Sequence, residues 1–167
     1  MSDTAEAPFD PRLIVPFVNS VRQVMKTMVN LETTVERPKI KSDPVSSFDV
    51  SAIVNFSGDV VGSVVLSFEQ DAAVKIVEKF AGTAMDPQSA DFADAIGELG
   101  NMVAGAAKKG LGYDASIGIP SVIVGQGHHV ARLKDVPCLV VPCTSEAGSF
   151  AVEVSIRRAD AAVRQAA

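Results

Sequence analysis

The stretch Phe48-Asp-Val-Ser-Ala-Ile-Val-Asn-Phe-Ser-Gly-Asp-Val-Val-Gly-Ser-Val-Val-Leu-Ser-Phe68 decides the fold class. Two apolar, β-branched runs, Phe48 to Phe56 and Val60 to Phe68, flank Ser57-Gly58-Asp59, and so short a glycine-containing connection predicts an antiparallel hairpin. Downstream, Ala115 to Ile119, Ser121 to Val124, Cys138 to Cys143 and Phe150 to Ile156 read as further strands. A polar turn at Gly125 to His129 separates the middle two, and Thr144 to Ser149 joins the last two. Upstream, Val18, Val21, Met25, Met28 and Val29 recur at helical spacing, predicting a helix to about Asn30. Asp10-Pro11 opens it, with Pro16 as an alternative start. Leu31 to Ile40 is extended and is followed by a polar loop through Pro44.

Two more helices follow the hairpin. Ser67 to Gln70 fits a capping box, after which Ala72, Ala73, Ile76, Val77 and Phe80 make a short amphipathic helix closed by Gly82. The longest helix starts at Asp86-Pro87 or Ser89, carries Lys108 and Lys109 at its negative end, and stops at Gly110 or Gly112. The expected architecture is α+β: one mainly antiparallel sheet with three helices packed on one face. Residues 1–9 are expected to be a flexible N-terminus, 10–157 a single domain and 158–167 an Ala-rich tail. The halves share an order of long helix, short strand, loop and hairpin. In each hairpin the second strand opens Gly-Ser (Gly62-Ser63 and Gly148-Ser149), a hint of duplication.

At 167 residues, 47% hydrophobic, the chain is long enough to bury a core without metals or disulfides. Its 15 basic residues are scattered among 20 acidic ones, for a net charge of -5. That excludes nucleic acid and anionic membrane as partners, because both demand a concentrated positive field. No apolar run approaches a membrane span, and Met1 to Phe9 lacks the basic start and apolar core of a secretory signal, so a cytoplasmic protein is expected. Cys138 and Cys143, five apart on a strand, point to opposite faces and read as buried reduced thiols.

On the long helix, at roughly 100° per residue, Glu98 lies about 40° and Asn101 about −20° from Asp94, so the three share one outward stripe. Phe92, Ile96, Leu99, Val103 and Ala106 lie opposite and are expected to pack on the sheet. Gly97, Gly100, Ala104 and Gly105 fall on or beside the polar stripe, although each mid-helix glycine costs roughly 1 kcal/mol relative to alanine. One reading is a shaved surface open to another protein. The other is that they admit a neighbouring helix of this same domain.

Asp94-Ala-Ile-Gly-Glu98-Leu-Gly-Asn101-Met-Val-Ala-Gly105, followed by Ile119-Pro120-Ser-Val-Ile-Val-Gly125, resembles the CheX branch of the CheC/CheX/FliY family of chemotaxis phosphatases. That family's signature is an Asp or Ser, three residues, a Glu, two residues, an Asn and a later Pro; the gap from Asn101 to Pro120 is a few residues shorter here. The resemblance implies hydrolysis of the aspartyl phosphate on a CheY-like response-regulator receiver. Asn101 would aim the water and Glu98 would pair with a receiver lysine. Asp94, Gly97, Gly105, Lys108 and Pro120 would contact the partner. It implies no metal or cofactor on this chain, Mg on the receiver, and a homodimer. Arg12 to Leu31 contains no glutamate, so one site per chain is expected. The alternative is a non-catalytic module that binds a receiver or flagellar-switch component through the same helix.

Other chemistry has less support. His128 and His129 read as a polar turn, Gly125-Gln-Gly127 lacks the rest of a phosphate cradle, and Met25 and Met28 read as core filler. Ser116, Ser121 and Ser149 have no nucleophile motif around them.

Overall fold

The computed structural model describes residues 10–41 and 48–160. The expectations for residues 1–9, most of the loop through Pro44 and the end of the tail lie outside the described residues. The helices are α1 (Pro11–Met28), α2 (Gln70–Ala81) and α3 (Ala90–Leu111). The strands are β1 (Thr34–Val35), β2 (Lys39–Ile40), β3 (Val50–Gly58), β4 (Val60–Phe68), β5 (Ala115–Ile117), β6 (Ser121–Val124), β7 (Leu139–Ser145) and β8 (Gly148–Arg158). They form one eight-stranded sheet in the order β1-β7-β8-β4-β3-β5, with β2 also on β7 and β6 also on β3. All described pairings are antiparallel. The three helices cover one face, as expected, burying Phe17, Phe68, Phe92, Ile96, Leu99 and Phe150 between them and the sheet.

The helix ends follow local chemistry. Asp10 caps α1 by accepting from the Arg12 backbone N–H, with Pro11 as the first helical residue. The Arg12 guanidinium, hydrogen-bonded to the same carboxylate, holds its pKa below the usual value. Pro16 lies inside α1 and is not a second start. Ser89 caps α3 through the Phe92 N–H, and Gly112 ends it with φ at +70°. The capping box expected at Ser67 to Gln70 is absent. Ser67 belongs to β4, its hydroxyl lies 3.0 Å from that of Ser51, and the N-cap of α2 is Glu69 with no side-chain bond. Alternation in β4 sends Ser67 to the sheet face opposite the helices, out of reach of α2.

The topology repeats. Each half contributes a long helix, a pair of short edge strands and a hairpin, and each edge pair lies on the first hairpin strand of the other half. The run Leu31 to Ile40, expected to be one extended stretch, is such a pair. Val35 opposes Cys143 and Lys39 opposes Val140, so Glu36, Arg37 and Pro38 face only Val141 and Pro142. Likewise Ile117 opposes Phe56 and Ser121 opposes Ile53, so Gly118, Ile119 and Pro120 face only Val54 and Asn55. Both are bulges with one extra residue, and both end in a proline, which has no N–H to leave unpaired. Gly62 and Gly148 add to the parallel, with φ of +131° and +129°.

The second face of the sheet is covered too, by the connection from β6 to β7, a layer the sequence reading lacks. His128 Nδ1 lies 2.8 Å from the Gly125 carbonyl and Nε2 lies 2.9 Å from Ser51 Oγ. Its ring pins the connection to the sheet and is more than part of a polar turn. Further along, Glu153, 1% exposed, pairs with Lys41 at 2.8 Å and with Arg132. A carboxylate so deeply buried is tolerable only with such partners. The two cysteines are buried and free. Cys143 sits in the helix-side core, where burial pushes its thiol to about 12, and Cys138 lies near Arg132 and Glu153 on the other side, also raised by burial. Among the described residues no helix is long and apolar enough to cross a membrane.

Candidate functional site

α3 crosses the sheet with its apolar side on β3 and β6. Phe92, Ile96, Leu99 and Val103 are buried as the spacing predicts, and Ala106 is half-buried. The buried sector is wider than expected, because it also takes in Gly97, Gly100 and Ala104. A Cβ on Gly100 would lie 2.7 Å from Ala52 Cβ of β3, and one on Gly97 would lie 3.3 Å from Val122 Cγ2 and 3.5 Å from Pro120 Cγ. These two glycines let α3 settle onto its own sheet, where the sequence alternative had them admit a neighbouring helix. The shaved-surface reading is corrected for both: the space they leave is filled by this chain, and Gly97 is a seat for Pro120. Gly105 differs, since it is half-exposed and a Cβ there would meet only Ile117 Cδ1, at 3.9 Å.

The polar stripe stands where the helical spacing puts it. Asp94 and Glu98 are exposed, and Asn101, Gly105 and Lys108 are half-exposed. Among the described residues neither Glu98 nor Asn101 has a side-chain hydrogen bond or ion pair. Asn101 lies one turn from Gly97 and one turn from Gly105, both of which face the 117–122 segment, so the Gly118 to Pro120 bulge runs beside it. The fold thus gathers Asp94, Glu98, Asn101, Gly105, Lys108 and Pro120 around one patch, despite the short sequence gap to Pro120.

What the sequence reading missed here is Ile119, between the two bulge anchors and 91% exposed. Its signal was the adjacent Pro120 in a run otherwise reading as strand. No group of three or more His, Cys, Asp or Glu able to hold a metal is found among the described residues. The patch can position a water through an amide and present carboxylates to a cation, and it rests on a rigid helix.

A family model described as chemotaxis phosphatase CheX matches residues 50–144, which spans β3 to β7 and the whole patch. The chain belongs to the CheX family. The CheY-P phosphatase CheX of Thermotoga maritima is 30% identical over 121 residues, covering 70% of this chain and 78% of that one. Among solved structures, a CheX of Desulfovibrio desulfuricans is 30% identical with a TM-score of 0.79, covering 88% of this chain and 99% of that one. The CheX of a CheX-CheY-BeF3-Mg complex from Borrelia burgdorferi is 26% identical with a TM-score of 0.74, covering 87% and 98%. The CheC/CheX-like α+β fold expected from the sequence is therefore the fold of this chain.

α1 has no equivalent patch. Leu13, Ile14, Pro16, Phe17, Ser20, Val21 and Val24 are buried, and the residues 83 positions later, Ile96, Gly97, Leu99, Gly100, Val103, Ala104 and Ala107, are buried too. The same offset puts Val15 where Glu98 stands and Val18 where Asn101 stands. With Pro11, Ile14, Arg37 and Pro38 they line an apolar groove of about 390 Å³.

Proposed function

We propose that this CheX-family chain accelerates hydrolysis of the aspartyl phosphate on a CheY-like receiver in the cytoplasm, with Asn101 aiming the attacking water. The observation that carries this reading is the unpartnered amide of Asn101, half-exposed on a rigid helix beside an equally unpartnered Glu98. An acyl phosphate is already activated, so catalysis consists mainly of alignment. The amide accepts from the water with its Oδ1 and steadies a phosphoryl oxygen with its Nδ2. Water oxygen bonds to phosphorus as the bond to the aspartyl carboxylate breaks, releasing inorganic phosphate. Glu98 pairs with a receiver lysine and sets the register, and Asp94 and Lys108 contact the receiver at the two ends of the stripe. Gly105 leaves room for its backbone, and Pro120 braces the neighbouring loop. The Mg is the receiver's own. The complex with CheY, BeF3 and Mg formed by the Borrelia relative supports this partner class.

The decisive measurement is decay of phosphorylated receivers from the same cell, with wild-type chain and with Asn101→Ala. Acceleration by the wild type and its loss in the variant, with binding retained, is the expected result. Equal decay with and without the wild-type chain, despite binding, would leave only the non-catalytic module. The homodimer belongs to the same proposal. Among the described residues nothing pairs with the outer side of β1 and β2 or of β5 and β6, so either edge is open to a second copy, and sedimentation equilibrium tests it.

A further inference from the structure

We propose that Ile119 is a docking residue of the phosphatase site, inserting into an apolar depression on the receiver beside its phosphorylated aspartate and so placing that group against Asn101. The inference rests on the function proposed above and names a contact that reading lacks. Ile119 is 91% exposed, against 53% for Val15, the next most exposed large apolar side chain among the described residues. Keeping an isoleucine in water forgoes the stabilisation its burial would bring, and the fold does not require it there. The matching bulge of the other half, with the same proline after it, carries Arg37 at the equivalent place.

Nor is Ile119 a loose loop tip. The Gly118 N–H donates to the Asn55 carbonyl at 2.9 Å, and Pro120 packs on Gly97 in the helical turn that carries Glu98. The extra residue of the bulge turns the side chain off the sheet while Ile117 and Val122, on either side, still pack toward the helices. An apolar side chain held rigidly outward beside an unpartnered carboxylate and amide matches a protein surface that offers a cation next to an apolar hollow. A single buried apolar anchor ringed by polar contacts is how small interfaces concentrate their affinity.

The test is steady-state dephosphorylation of a receiver charged with acetyl phosphate, chosen as the one whose decay the wild type accelerates most. Ile119→Ser is expected to raise KM about tenfold with kcat within about twofold, the lower end of what one buried isoleucine contributes. Ile119→Leu keeps the wild-type KM, and Arg37→Ser changes neither constant. The urea midpoint of Ile119→Ser stays at the wild-type value, since the side chain supports nothing in the fold. An unchanged KM for Ile119→Ser beside an active wild type overturns the role of Ile119 alone, as does a fall in kcat at constant KM. Failure of the wild type to accelerate decay of any receiver of its cell overturns the proposed function with it.

Discussion

The two ends of the sheet carry the same backbone device with opposite contents. At one, α3 lies beside a three-residue bulge ending in Pro120, and the helix offers Glu98 and Asn101. At the other, α1 lies beside a three-residue bulge ending in Pro38, and the matching positions hold Val15 and Val18. The middle residue of the bulge is Ile119 in the first and Arg37 in the second, both exposed. A repeated scaffold thus keeps its register, bulges and helix seats, while the polar groups proposed to act on a receiver stand in one half only. Fold and site are separable, because burial constrains the inward positions and leaves the outward ones to function.

The largest expected contrast is in rate. Asn101→Ala should cost on the order of a hundredfold or more in accelerated dephosphorylation, as loss of a positioned polar group in an active site does. Val18→Ala, its counterpart in α1, should leave the rate at wild type, and a fall of similar size in a stopped-flow decay assay would show that both corners act. Next comes docking. Glu98→Lys should weaken binding of a BeF3-activated receiver about tenfold or more, since it reverses a charge meant for a lysine. Val15→Ser should not change that affinity, and calorimetric titration of both variants checks the pair.

Stability separates the glycines of α3. Gly100→Ala forces a methyl to within 2.7 Å of Ala52 Cβ and should lower stability by about 1–3 kcal/mol, outweighing the gain in helix propensity. Gly105→Ala meets nothing closer than 3.9 Å and should raise stability by roughly 1 kcal/mol. Urea unfolding midpoints measure both. If Gly105→Ala also slows dephosphorylation, close approach of the partner to α3 is required there; unchanged kinetics would remove that role from Gly105.

The smallest contrast lies in the caps. Asp10 has its pKa lowered in the fold, chiefly by its bond to Arg12. Its contribution is therefore present above the unfolded value of 3.8 and is lost as pH falls below it toward the folded value. Ser89, the cap of α3, does not titrate in that range. Asp10→Ala should cost about 1 kcal/mol near neutrality, and the difference from wild type should shrink in acid. A difference independent of pH would deny the charged cap its role.

Much of this was legible from local pattern. Period-two runs around Ser57-Gly58-Asp59 announced the hairpin, and the spacing of Asp94, Glu98 and Asn101 set them on one stripe. Gly82 and Gly112 stop their helices as expected. The misreadings share a physical cause. Ser67 resembled a cap because a strand residue and a capping residue look alike until the sheet face is known. Gly97 and Gly100 looked available because nothing in a helical wheel says which neighbour fills the space beside a glycine. His128 and Glu153 gave no local signal, since their partners Ser51, Lys41 and Arg132 are brought to them by a chain that crosses the sheet.

By itself, then, the sequence determined the elements, the outward direction of the Glu98 and Asn101 stripe, and the family, because each rests on short-range periodicity or on a motif within one helix. Only the tertiary structure decided that Pro120 and Ile119 stand beside that stripe and that two glycines belong to the core. Those facts depend on a register shift of one residue between strands far apart in the chain, and no local pattern records which residues a bulge turns outward.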